Sequence, residues 1–139
     1  MTGQSDVDLT DVERNRRLAI QHLDEFINHK DLDAVIRNTS EDFVDHDGPG
    51  GKPSDRDEAR AMMEQLQEMI PDLRVEIVDS LAEGDRVVQR NIWTGTHARS
   101  GRRLEFHGFV LWRAAGGKLV ERWATVTPLK ELTTDRLEW

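Results

Sequence analysis

Residues 71–127, PDLRVEIVDSLAEGDRVVQRNIWTGTHARSGRRLEFHGFVLWRAAGGKLVERWATVT, decide the fold. Leu73, Val75 and Ile77 alternate with Arg74 and Glu76, the period-two pattern of a half-buried strand. Glu83-Gly84-Asp85 makes a turn. Three more strand-like runs follow at 86–97, 103–114 and 118–127, separated by 98–102 and by the tight Ala115-Gly116-Gly117. Strands in such close succession pair with their neighbours as antiparallel hairpins. Pro71 marks the change of texture, because a proline cannot continue a preceding helix.

Upstream of Pro71 the period is helical. Thr10-Asp11-Val12-Glu13 reads as a capping box, and Val12, Ala19, Leu23, Phe26 and Ile27 form one apolar stripe. This predicts a helix over about 10–29, with residues 1–9 as a disordered leader. Asp31 caps a short second helix, where Leu32, Val35 and Ile36 share a face. An extended stretch, 42–46, enters the Gly/Pro-rich loop 47–53. Ser54 then caps a third helix with Ala59, Met62, Met63, Leu66, Met69 and Ile70 at helical spacing. That Met-rich face is core, or the soft wall of a cavity. The tail, 128–139, adds a helical turn. Helices followed by hairpins make a single α+β domain over 10–139 with an antiparallel sheet.

The chain has 139 residues, enough for one core and too few for two. It lacks cysteine, which excludes disulfides, thiolate nucleophiles and Cys-ligated metals. Its net charge of −8 opposes attraction to phosphate backbones, so no nucleic-acid partner is expected. No run approaches the roughly 20 apolar residues of a membrane span, and the polar, acidic start is unlike a secretory signal. A cytoplasmic protein without a membrane partner is expected.

Several segments resemble the SnoaL-like polyketide cyclases, within the nuclear-transport-factor-like α+β cone fold. They are Asp31-Leu32-Asp33, Asp42-Phe43-Val44-Asp45-His46, Pro71-Asp72-Leu73 and the run 82–88. Trp93-Thr94-Gly95-Thr96-His97, Ser100-Gly101-Arg102 and the run 117–123 follow in the same order, so the resemblance spans about 12–132. It implies three N-terminal helices packed in a curved, cone-like antiparallel sheet, a deep apolar pocket, a homodimer joined across the outer sheet face, and no metal or organic cofactor. It also implies acid–base chemistry on polyketide esters, with ketosteroid isomerases and epoxide hydrolases among relatives on the fold. The chain departs from the family at two positions. The acid–base Asp that follows Glu121-Arg122-Trp123 in the cyclases is Ala124 here, and a strand His falls at Val110.

Proton transfer at carbon needs a base near the acidic C–H and a donor for the developing oxyanion. Asp45-His46-Asp47 is the densest supply of such groups, with Asp45 and His46 the candidate catalytic pair. The same cluster also reads as a solvated loop entry. Alternation puts Asp45 and Asp47 on one face and His46 on the other. Val87, Gln89, Asn91 and Trp93 share a face, and Gln89 and Asn91 are either amide donors on a cavity wall or outward-facing polars. With Val110 facing the pocket, Phe106, Gly108 and Trp112 do so too, and the last strand contributes Arg122 and Ala124. His107 then faces outward, where it could meet Glu121. His22 and His29 read as solvent-side. No His, Asp and Glu set has metal-ligand spacing. The expected activity is cofactor-free cyclisation or isomerisation of a hydrophobic polyketide-like carbonyl compound in secondary metabolism. The alternatives are epoxide opening on the same fold and a non-catalytic ligand-binding or scaffold cone.

Overall fold

Strand formation follows the alternation closely. The computed structural model describes residues 3–127 and 130–131, with side chains from 11 to 127. β2 (Arg74–Glu83), β3 (Arg86–Thr96), β4 (Arg103–Ala115) and β5 (Lys118–Val126) form a meander of antiparallel neighbours. Val87, Trp93, Phe106, Val110 and Trp112 face one side and are buried there, whereas Leu81 and Phe109 lie open on the other. At that side lie the three helices.

β1 (Thr39–Asp45) departs from the expected antiparallel pattern. It lies along β5 in parallel register, Val44 opposite Glu121 and Asp45 opposite Arg122. The sheet is therefore mixed, in the order β1-β5-β4-β3-β2. β1 arrives from the helices rather than from a hairpin turn, so nothing forces it to run antiparallel. Lys130–Glu131 form a short β6 against β4 where a helical tail was expected, and residues 132–139 lie outside the described part.

α1 (Gly3–Leu23) starts well before Thr10, so most of the expected leader is helical. Glu13 does not close a capping box there. Its carboxylate binds Arg16 and Arg17 one turn on, and those contacts hold its pKa below the usual carboxylate value. The helix then widens into a π turn at Asp24–Asn28, closed by the His29 N–H donating to the Asp24 carbonyl at 2.9 Å. This turn presents Asn28 to the edge of the sheet. The Asn28 amide donates to the Val75 carbonyl (3.0 Å) and accepts from the Val75 N–H (2.9 Å).

α2 (Ala34–Asn38) is short, and the Asp31 carboxylate accepts from the Asp33 N–H ahead of it. α3 (Arg56–Met69) is capped by Asp55, one residue later than expected. Asp55 and Glu58 accept each other's backbone N–H at 2.8 and 3.1 Å, a complete capping box. Ser54 is unavailable for that role because its own N–H and C=O pair with Asp45 (2.9 and 2.8 Å). Met63 on α3 is buried, whereas Met69 is 46% exposed and leaves the core to Ile70.

Ile70, Leu73 and Gly95 show how tightly helix end and sheet meet. A methyl group on Gly95 would stand 2.2 Å from Ile70 Cγ2, so only glycine admits the Ile70 side chain there. Burying Ile70, Leu73, Ile27 and Leu119 completely contributes roughly 1.5–3 kcal/mol each.

Candidate active site

The end of β1 carries Asp45 into the interior, and the next residue, His46, points the other way. Asp45 is 3% exposed. Arg122, directly across the parallel register, donates from Nη1 to both carboxylate oxygens at 3.0 and 2.9 Å. The Asp47 N–H adds a third bond to Asp45 Oδ1 at 3.0 Å. A buried carboxylate costs several kcal/mol unless it is matched in charge and hydrogen bonds, and these three contacts supply that match. The Arg122 guanidinium also lies over the Trp112 ring, 5.8 Å from its centroid.

This pair borders an interior cavity of about 50 Å³ whose other walls include His22, Phe26, Phe43, Met63, Trp93 and Trp112. That space has room for a few waters at most. It is several-fold smaller than the roughly 300–1,000 Å³ of pockets that enclose drug-sized ligands. The deep pocket implied by the resemblance is therefore largely filled by side chains of this chain, Met62 and Met63 among them.

His22 is a correction to the expected surface position. It is 2% exposed, stacked on Phe26 (5.2 Å) and edge-on to Trp112 (5.5 Å). Burial, and then the nearby Arg122 charge, push its pKa down to about 3, so the ring is neutral. The Asn38 Nδ2 lies 3.2 Å from its Nδ1 and donates to Glu25 Oε1 at 2.9 Å. The signal was present in the sequence: His22 sits three residues after Ala19 and four before Phe26, inside the apolar stripe.

β3 sends Gln89 and Asn91 inward between Val87 and Trp93. Gln89 and Asn91 are fully buried, and the Gln89 Oε1 accepts from Trp112 Nε1 at 2.9 Å. The Gln89 Nε2, both polar atoms of the Asn91 amide and Trp93 Nε1 find no partner among the described residues. The register places Gln89 opposite Val110 and Val110 opposite Ala124. Thus the two positions where the resemblance calls for a His and an Asp are cross-strand partners, both aliphatic, beside unpaired amides. Phe106 stacks on Trp93 at 5.4 Å.

The sequence-predicted residues thus divide. Asp45, Gln89, Asn91, Trp93, Phe106, Val110, Trp112, Arg122 and Ala124 all face the interior. His46 does not join them. It stacks on Trp123 at 4.7 Å on the outer face and bonds Glu121 at 2.8 Å, while Asp47 turns back to accept from the Ala124 N–H at 2.7 Å. Glu121 also takes Arg113, and the His46 and Arg113 contacts lower its pKa. His107 therefore does not pair with Glu121; its Nε2 lies 2.8 Å from Glu105. Among the described residues no group of three His, Asp or Glu is placed to hold a metal ion, and no helix is long and apolar enough to cross a membrane.

Solved structures with this architecture are numerous. AclR of Streptomyces galilaeus, provisionally described as a hydroxylase, is 26% identical, with 84% of this chain and 90% of that one covered at a TM-score of 0.74. IdmH of Streptomyces antibioticus, provisionally described as a polyketide cyclase, is 27% identical over 77% of this chain and 88% of its own, at 0.69. A SnoaL-like polyketide cyclase of Agrobacterium tumefaciens shares the fold at 21% identity, covering 80% and 89% of the two chains at 0.69. No curated protein matches the sequence. The family model of the SnoaL-like polyketide cyclases matches residues 17–130, and the chain belongs to that family.

Proposed function

We propose that the protein is a cofactor-free acid–base enzyme that cyclises or isomerises a hydrophobic, polyketide-like carbonyl compound in secondary metabolism. The observation that carries this reading is Asp45, a carboxylate held by Arg122 at the wall of an apolar cavity. Asp45 takes a proton from carbon next to a carbonyl, giving an enolate. The enolate then attacks a second carbonyl, whose oxygen takes the proton back from Asp45, or is reprotonated at another carbon by the same carboxyl group. Gln89 and Asn91 offer unpaired amide hydrogens to substrate oxygens, which makes their cost in the empty protein intelligible. His46 has no place in this scheme, because it lies on the far side of β1. Admitting such a substrate requires Met62 and Met63 to swing out, and unbranched thioether side chains do this readily.

Epoxide opening is the second reading. A carboxylate fixed by an arginine beside free amide groups also suits activation of a water molecule. The protein would work in the cytoplasm as a homodimer through its outer sheet face, where Leu81 (69% exposed) and Phe109 (57%) lie open.

A thermal-shift screen against fused-ring polyketides, steroids and terpene epoxides tests these readings, followed by turnover of whatever binds. The expected result is stabilisation by a carbonyl chemotype, its conversion by the protein, and loss of conversion in Asp45→Asn. Binding without conversion identifies a ligand-binding cone instead, and conversion of an epoxide identifies a hydrolase. Sedimentation at micromolar concentration tests the dimer.

A further inference from the structure

We propose that His22 is the electrophile of this site, a neutral imidazole whose Nε2–H donates a hydrogen bond to the substrate carbonyl oxygen. The inference rests on the carbonyl reading above and assigns a role to a residue that reading leaves unused.

The tautomer follows from the neighbours. Asn38 Nδ2 donates to Glu25 Oε1, and this fixes which end of the amide is nitrogen. Glu25 stays an acceptor, since contacts from Asn38, Arg37 and Gln21 bring its pKa down to about 2. The second hydrogen of the same Nδ2 points to His22 Nδ1, so Nδ1 must accept and the ring proton must sit on Nε2. No group among the described residues pairs with Nε2.

The ring is also packed on two sides. Phe26 covers one face and Trp112 meets it edge-on. The charged groups around it are Arg122 and Asp45, which share the cavity wall, and Glu25 and Arg37 on its other side. A neutral imidazole in that position polarises a carbonyl without surrendering a proton, a pattern known from other enolising enzymes. The proton then leaves carbon for Asp45, the electron pair moves onto the carbonyl oxygen, and the hydrogen bond from His22 strengthens as the oxygen gains charge. His22 begins and ends the cycle with its own proton.

Two measurements on the full chain test this. Long-range nitrogen–proton NMR of histidine-labelled protein should show His22 with Nε2 protonated and Nδ1 bare, unchanged from pH 8 to pH 5. An Nδ1–H tautomer or an imidazolium in that range overturns the proposal. The second uses 4-nitrophenol as an oxyanion probe followed by its absorbance. The wild type should bind it as the phenolate, and His22→Phe, which keeps the ring stack, should bind at least about tenfold more weakly. Equal behaviour of the two proteins, absence of binding by both included, overturns it. Asp45→Asn should retain the probe. Failure of turnover alone would therefore count against the base at Asp45, not against His22.

Discussion

The interior polar groups fall into two sets that obey opposite rules. Around β1 and α1 the buried charge is matched: Arg122 binds Asp45, and Asn38 bridges His22 Nδ1 to Glu25, leaving only the neutral Nε2–H of His22 open. Along β3 the neutral amides of Gln89 and Asn91 are left partly or wholly unpaired. The difference follows from cost. An unmatched buried charge is prohibitive, whereas an unmatched buried amide costs roughly 1–3 kcal/mol and can be carried in readiness for a ligand. The charge at Asp45 is balanced in the folded protein as it stands, whereas the β3 amides keep hydrogen-bonding capacity in reserve.

Substitutions can break that contrast. Asp45→Ala, which strands Arg122, should cost the most, about 3 kcal/mol in denaturant unfolding. Next comes acidification. Unfolded His22 takes its proton near pH 6.5 and folded His22 only near pH 3. The stability gained by burying it neutral is complete above pH 6.5 and is lost as pH falls toward 3, at about 1.4 kcal/mol per pH unit. His22→Phe should flatten that slope in urea titrations between pH 6.5 and 4.5. Glu25, with its lowered pKa, loses its contribution only below pH 4.5, so the two effects separate. Gln89→Leu should then cost about 1 kcal/mol, because Trp112 Nε1 loses its acceptor. Asn91→Leu should be nearly neutral or slightly stabilising, since it removes only unpaired atoms. A cost for Asn91→Leu as large as that for Asp45→Ala would erase the distinction between the two sets.

The meander and its faces were legible because alternation is a local property. Parity alone grouped Gln89 and Asn91 with Val87 and Trp93 but left open which face turns inward; the pocket side of Val110 and Arg122 came from the family resemblance, and the structure buries all of these positions or packs them against the core. The parallel seating of β1 and the salt bridge from Asp45 to Arg122 were not legible. Each joins residues whose proximity is set by the whole fold, 77 positions apart in the case of the salt bridge. His22 lies between these cases. Its place in the apolar stripe was visible, yet a histidine in such a stripe reads as surface until a partner such as Asn38 is known.

The Asn28 clasp on Val75 also bears on how the molecule behaves at high concentration. β2 closes one side of the sheet, and an open strand edge is a template on which another chain can build. By occupying both backbone groups of Val75, the Asn28 side chain imitates one residue of a neighbouring strand and stops a real one from docking in register. At Val75 that edge is closed by a side-chain amide on a π turn, while exposed Arg74, Glu76, Asp79 and Glu83 place charges along the rest of the strand.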